Sequence, residues 1–124
     1  MKELLIVACG SFLGGGLRYG VSRLLALCVS APFPWATFVV NVVGCLLIGL
    51  VSALPGGIGP NTQTRLFLTT GLCGGFTTFS TFMNESAGLL KAGEMLLPAL
   101  YVLGSFALGM LAVVAGHWLG SRMF

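Results

Sequence analysis

Charge is what this sequence has least of. Nine of its 124 residues are charged, 7%, against roughly 25% in soluble domains. Hydrophobic residues make up 56% and the mean hydropathy is +1.02. So short a chain cannot cover that much apolar surface with so few charges in water, so a soluble domain is excluded and an integral membrane protein is expected. Acids are scarcer still. Glu3 and Glu94 stand at segment ends, and Glu85 is read as lying towards a loop. No apolar span then carries an acid at its centre, the residue on which proton-coupled antiport depends. The net charge of +3 comes without any basic run, which excludes nucleic acid as a partner. There is one histidine, His117, near a helix end, and no nucleophile–base pair, so no enzyme is expected. Cys9, Cys28, Cys45 and Cys73 show neither CxxC nor His-containing spacing and read as small buried hydrophobes.

What is present is apolar sequence in four lengths. About 20 such residues cross a bilayer. The first stretch runs from about 4 to 29 and ends before Ala31-Pro32-Phe33-Pro34; its length and glycine content fit a signal peptide poorly. The second covers about 35 to 54 and is closed by Pro55-Gly56-Gly57 and a polar loop through Gln63. The third covers about 64 to 90, and a short turn at Lys91–Glu94 leads to the fourth, about 95 to 119. Pro98 falls in the first turn of the fourth, where a missing N–H costs little. Residues 1–124 thus form one four-helix transmembrane domain, all-α. Four spans put both termini on one side with Lys2, Arg65 and Arg122, leaving Arg23 and Lys91 for the other. That near balance gives the positive-inside rule nothing to act on, so copies can insert both ways and pair antiparallel. Small residues recur four apart at Gly10/Gly14, Gly16/Gly20, Gly71/Gly75, Ser105/Gly109 and Gly116/Gly120, a spacing that lets helix backbones approach closely in lipid.

Residues 70–82 are the unusual part. Three glycines, five hydroxyls and three phenylalanines fall inside an apolar stretch. A break of the third helix is expected near 71–75, and lipid tolerates one only where it faces protein or a wet cavity. Such breaks build the ion sites of transporters. Phe76, Phe79 and Phe82 form a stripe whose ring edges, partly positive, can hold an anion; Ser80 and Thr81 add hydroxyl donors. Carbonyls freed at the break would instead suit a cation. Asn41, within the second span, must find either another helix or a permeating species. Arg18 either snorkels to the interface or lends a vestibule positive potential. Tyr101 and Ser105 add a polar line on the fourth span. Many donors and no central acid favour an anion as the permeant.

Three motifs resemble one family. Gly10-Ser-Phe-Leu-Gly14-Gly-Gly-Leu-Arg18-Tyr19 is similar to GGxxGAxxRY, with small-for-small departures at Ser11 and Gly15. Val40-Asn41-Val-Val-Gly44 is similar to VNxxG, and Gly71 to Phe82 resembles the third-helix signature nearly throughout. They are those of the Fluc/CrcB fluoride channels, and the resemblance covers the whole chain. It implies an antiparallel, dual-topology homodimer in a bacterial inner membrane, passively exporting cytoplasmic fluoride through two pathways at the dimer interface. By motif position Phe79 and Phe82 would contact fluoride by ring edges, with Asn41 as pore amide and Ser80 and Thr81 as hydroxyls. Tyr101 and Ser105 would line a polar track, and Arg18 a vestibule. Gly74 and Thr77 would give backbone carbonyls to a structural sodium ion at the dimer centre. Two rivals remain at this level. A small multidrug-type exporter needs a mid-membrane acid that the first span lacks, and a non-transporting scaffold leaves the hydroxyls and Asn41 unexplained.

Overall fold

The computed structural model describes residues 1–29, 33–54 and 62–123; the turns expected at 30–32 and 55–61 lie outside them. Among the described residues every regular element is a helix: α1 Lys2–Cys28, α2 Trp35–Ser52, α3 Thr62–Leu66, a π-helix Phe67–Cys73, α4 Gly74–Phe76, α5 Phe79–Lys91 and α6 Leu96–Met123. At 1.5 Å per residue, α1 and α6 reach about 40 Å and α2 about 27 Å, against a hydrocarbon core of about 30 Å. These three are long and apolar enough to cross a membrane. Phe12 is 80% exposed and Leu27 81%, whereas the buried apolar set is small: Val40, Cys73, Phe76, Phe82 and Tyr101. An outside so rich in large apolar side chains is the surface of a protein solvated by lipid or by a partner. Cys9 and Cys28 belong to that outer face and are exposed, which corrects the expectation of burial; only Cys73 is buried.

Close approaches fix the direction of each helix. A Cβ at Gly10 would stand 2.8 Å from Gly71 Cα, and one at Gly75 would stand 2.7 Å from the Ser11 carbonyl. α1 therefore runs parallel to the segment 67–76, backbone against backbone. Cys45 lies beside Gly109, and Gly49 beside Gly116, so α2 and α6 are parallel too and form the most extensive helix pair. Arg65 Nη2 donates to the Leu54 carbonyl at 2.9 Å, which sets the start of α3 beside the end of α2. Successive segments thus alternate in direction. The start of α1 and the end of α6 share one end of the bundle with Arg65. Three of the expected small-residue pairs serve these crossings, but Gly16 and Gly20 meet nothing.

The segment 62–91 departs from expectation in its details. Residues 67–73 widen into a π-helix instead of breaking, and the extended pair is Thr77 (φ −90°, ψ 161°) and Thr78 (φ −150°, ψ 125°). Glycine permits a break, but a backbone in an apolar setting leaves the helix only where other groups take over its hydrogen bonds. Around 71–75 the Ser11 hydroxyl donates to the Gly71 carbonyl at 3.3 Å and the Thr77 hydroxyl to that of Cys73 at 3.0 Å. The full replacement is available at Thr78. Downstream, α5 ends in a Schellman turn, with Gly93 at φ +85° and Glu94 N–H donating to the Leu89 carbonyl, the left-handed position that favours glycine.

Candidate functional site

Asn41 supplies what the extended pair needs. Its Oδ1 accepts the Thr78 N–H at 2.9 Å and its Nδ2 donates to the Thr78 carbonyl at 3.1 Å. The carboxamide acts as a surrogate peptide and satisfies both backbone groups of one residue. Of the alternatives open in the sequence, cross-linking between helices accounts for these two bonds; the second Nδ2 hydrogen is not used by them. Thr78 then starts α5: its Oγ1 accepts the Thr81 N–H at 3.3 Å and donates to Thr81 Oγ1 at 3.1 Å, the N-cap bond expected of a threonine.

The same bonds release two carbonyls. In a continuous helix the Thr78 N–H would donate to the Gly74 carbonyl and the Thr81 N–H to that of Thr77. Here both go elsewhere, to Asn41 Oδ1 and Thr78 Oγ1. Thr77 itself stays tied back, its N–H and Oγ1 both 3.0 Å from the Cys73 carbonyl.

Two cavities meet here. A groove of about 430 Å³ opens between α2, the π-helix, α5 and α6, and it gathers Asn41, Gly74, Thr77, Phe79, Phe82 and Ser105 from the expected set. A smaller cavity of about 190 Å³ is lined by Arg18, Thr37 and Thr81 among others. Ser80 and Tyr101 line neither. The two phenylalanines differ in setting: Phe79 is 70% exposed and Phe82 4%, with ring centroids 6.2 Å apart. Phe82 packs edge-on against Tyr101 at 4.8 Å. Tyr101 is fully buried and its hydroxyl donates to Glu85 Oε1 at 2.9 Å. The polar line expected of Tyr101 and Ser105 is thus divided, one hydroxyl bound to a carboxylate and the other opening on the groove. Ser105 Oγ and Arg18 Nε are buried polar atoms without a partner among the described residues.

Sequence reasoning missed Thr78, Thr37 and Glu85. Thr78 carried a usable signal, a threonine directly before a helical run. Glu85 was assigned to the loop side, yet α5 carries it one turn beyond Phe82 and against α6. No group of three or more His, Cys, Asp or Glu able to hold a metal occurs among the described residues.

Comparison with known proteins places these residues in a wider set. Residues 5–117 match the family described as CrcB-like protein, Camphor Resistance (CrcB). A protein of Phocaeicola vulgatus named Fluoride-specific ion channel FluC is 48% identical over 121 residues, covering 96% of this chain and 98% of its own. One of the same name from Chlorobium phaeobacteroides is 47% identical, covering 94% and 90%. Another from Thermus thermophilus is 42% identical, covering 99% and 98%.

Proposed function

The chain belongs to the CrcB family, and on that footing we propose that it is a fluoride-selective channel, a multi-pass membrane protein that lets fluoride leave the cytoplasm down its gradient. It is not an enzyme. The observation that carries this reading is the 42% and 48% identity, over nearly the whole chain, to relatives named as fluoride-specific channels, and the donor-rich groove agrees with it. Fluoride is small and strongly hydrated, so a pathway must replace its water with donors at close range. The groove offers the spare Nδ2 hydrogen of Asn41, the Ser105 hydroxyl and the rings of Phe79 and Phe82. Glu85, on the turn of α5 after Phe82, is engaged by Tyr101. Arg18 supplies positive potential to the adjoining cavity.

Segment 62–91 is read as the third of four spans, an interrupted one, and the working unit as an antiparallel homodimer of dual topology with two pathways at its interface. The exposure of Phe79 in a single chain fits a ring that a partner covers. The carbonyls of Gly74 and Thr77, freed of helical partners, are hard oxygen donors of the kind that suits a sodium ion. They would hold it with the same pair from the second copy, and the ion would contribute fixed positive charge at the dimer centre.

Purified protein in fluoride-loaded liposomes tests the reading. Fluoride efflux without chloride efflux, indifferent to a proton gradient, is the expected result. Equal release of both ions removes the selectivity, and no release from folded protein leaves a scaffold.

A further inference from the structure

Among the described residues two buried polar side-chain atoms lack a partner, Arg18 Nε and Ser105 Oγ. Both belong to hydrogen-bond donors, and they lie in different spaces: Arg18 lines the small cavity and Ser105 the groove. Among the described residues Thr78 alone lines both. It stands between a cation that attracts an anion and the phenylalanine-lined groove through which the anion would leave.

Its hydroxyl is held there with little freedom. Asn41 grips the Thr78 backbone at both ends, fixing the plane from which the side chain projects. The Thr78 Oγ1 accepts the Thr81 N–H and passes its own proton to Thr81 Oγ1. Each hydroxyl has a single proton, so the Thr81 proton is the one left to give, and Thr81 opens on the Arg18 cavity. The bonds therefore run as a directed chain, from the Thr78 hydroxyl to that of Thr81 and on to the cavity. Such chains strengthen the terminal donor.

We propose that Thr78 is the partition between the two spaces and the positioning residue for transfer of the anion across it. It acts by orienting the Thr81 hydroxyl toward the Arg18 side. This rests on the channel reading. Its bonds do not require the extra methyl of threonine, so serine at this position should serve equally well.

The test compares Thr78→Ser, Thr78→Asp and wild type in fluoride-loaded liposomes, at less than one dimer per vesicle on average. The fraction of fluoride released then counts conducting dimers, and the time course reports the rate of each. Aspartate is as good an N-cap as serine, so α5 keeps its first bond while the partition gains a negative charge. Expected is a wild-type rate for Thr78→Ser and at least a tenfold slower rate for Thr78→Asp, with the dimer peak in size exclusion retained. Thr78→Val, close in size but without the hydroxyl, is expected to be slowed as well, and it decides the matter if the aspartate variant does not fold. A purely structural role would lower the released fraction and leave the rate per dimer unchanged, and that result overturns the proposal. Wild-type rates in both Thr78→Asp and Thr78→Val overturn it too, while the channel reading stands. Absence of fluoride efflux from wild type removes the channel reading itself.

Discussion

At the scale of the residue, Asn41 and the two phenylalanines carry separable jobs. Asn41→Asp keeps an acceptor for the Thr78 N–H but loses the donor to its carbonyl. The Thr78 carbonyl is half-buried, so its loss of a partner costs towards the lower end of about 1–3 kcal/mol, and the new charge faces the groove. Fluoride efflux is expected to fall at least tenfold with a lowered thermal midpoint; undiminished flux would take Asn41 out of the pathway. Phe79→Ile and Phe82→Ile should both slow efflux, and the second should also destabilise the fold of the single chain. Phe82 is buried against Tyr101 while Phe79 is largely open, so thermal melts of the two variants ought to separate clearly. Equal melting shifts would mean that Phe79 is as well packed as Phe82. These residues also mark how far the sequence could be read. That an amide inside a span needs a partner was plain from chemistry. That the partner is the backbone of a residue 37 positions on depends on how α2 meets α5, which no local pattern records. Glu85 was misplaced for the same reason: distance along the chain from a break is not depth in the bundle.

At the scale of the element, glycine positions divide into crossings and bare surface. A Cβ at Gly75 would lie 2.7 Å from the Ser11 carbonyl, whereas at Gly16 and Gly20 nothing stands within 4 Å. Gly75→Val should therefore push α1 away and abolish the folded protein in detergent. Gly16→Ala should leave yield and melting temperature unchanged or slightly raised, since alanine is the better helix former by about 1 kcal/mol. A collapse of Gly16→Ala would reveal a partner on that face. The sequence marked both kinds alike, because a four-residue spacing says that a helix can be approached and not that it is. The limits of the three long helices, by contrast, lie within a few residues of the apolar stretches, since length and hydropathy are properties of the segment alone. The exact site of the extended pair was not legible, because it is decided by Asn41, Ser11 and Thr81 together and not by glycine content.

At the scale of the whole molecule, the near balance of cations between the two ends is the feature with consequences. Lys2, Arg65 and Arg122 gather at one end, and Arg23 and Lys91 belong to the other. With so small an imbalance, insertion in both orientations is expected. A cysteine introduced as Met123→Cys, at an exposed end of α6, in a background with Cys9, Cys28, Cys45 and Cys73 changed to alanine, reports this in intact cells. About half of the copies should react with a membrane-impermeant thiol reagent from outside. All or none reacting would rule out the antiparallel dimer in favour of a single topology. Adding two lysines after Phe124 should then drive the population to one orientation and abolish conduction, unless a second chain of opposite bias is supplied.

The grip of Asn41 on Thr78 also has a bearing on how the protein is made. Synthesis runs at roughly 5–20 residues per second, so Asn41 is complete roughly 2 to 7 seconds before the residue whose backbone it holds, 37 positions later. For that interval the second helix carries an amide with no native partner. The hairpin of the first two helices is thus an unfinished product, one that the insertion machinery must shelter or water must serve until the third segment arrives. A ribosome paused between these two positions would leave the nascent chain exposed to quality control at that stage.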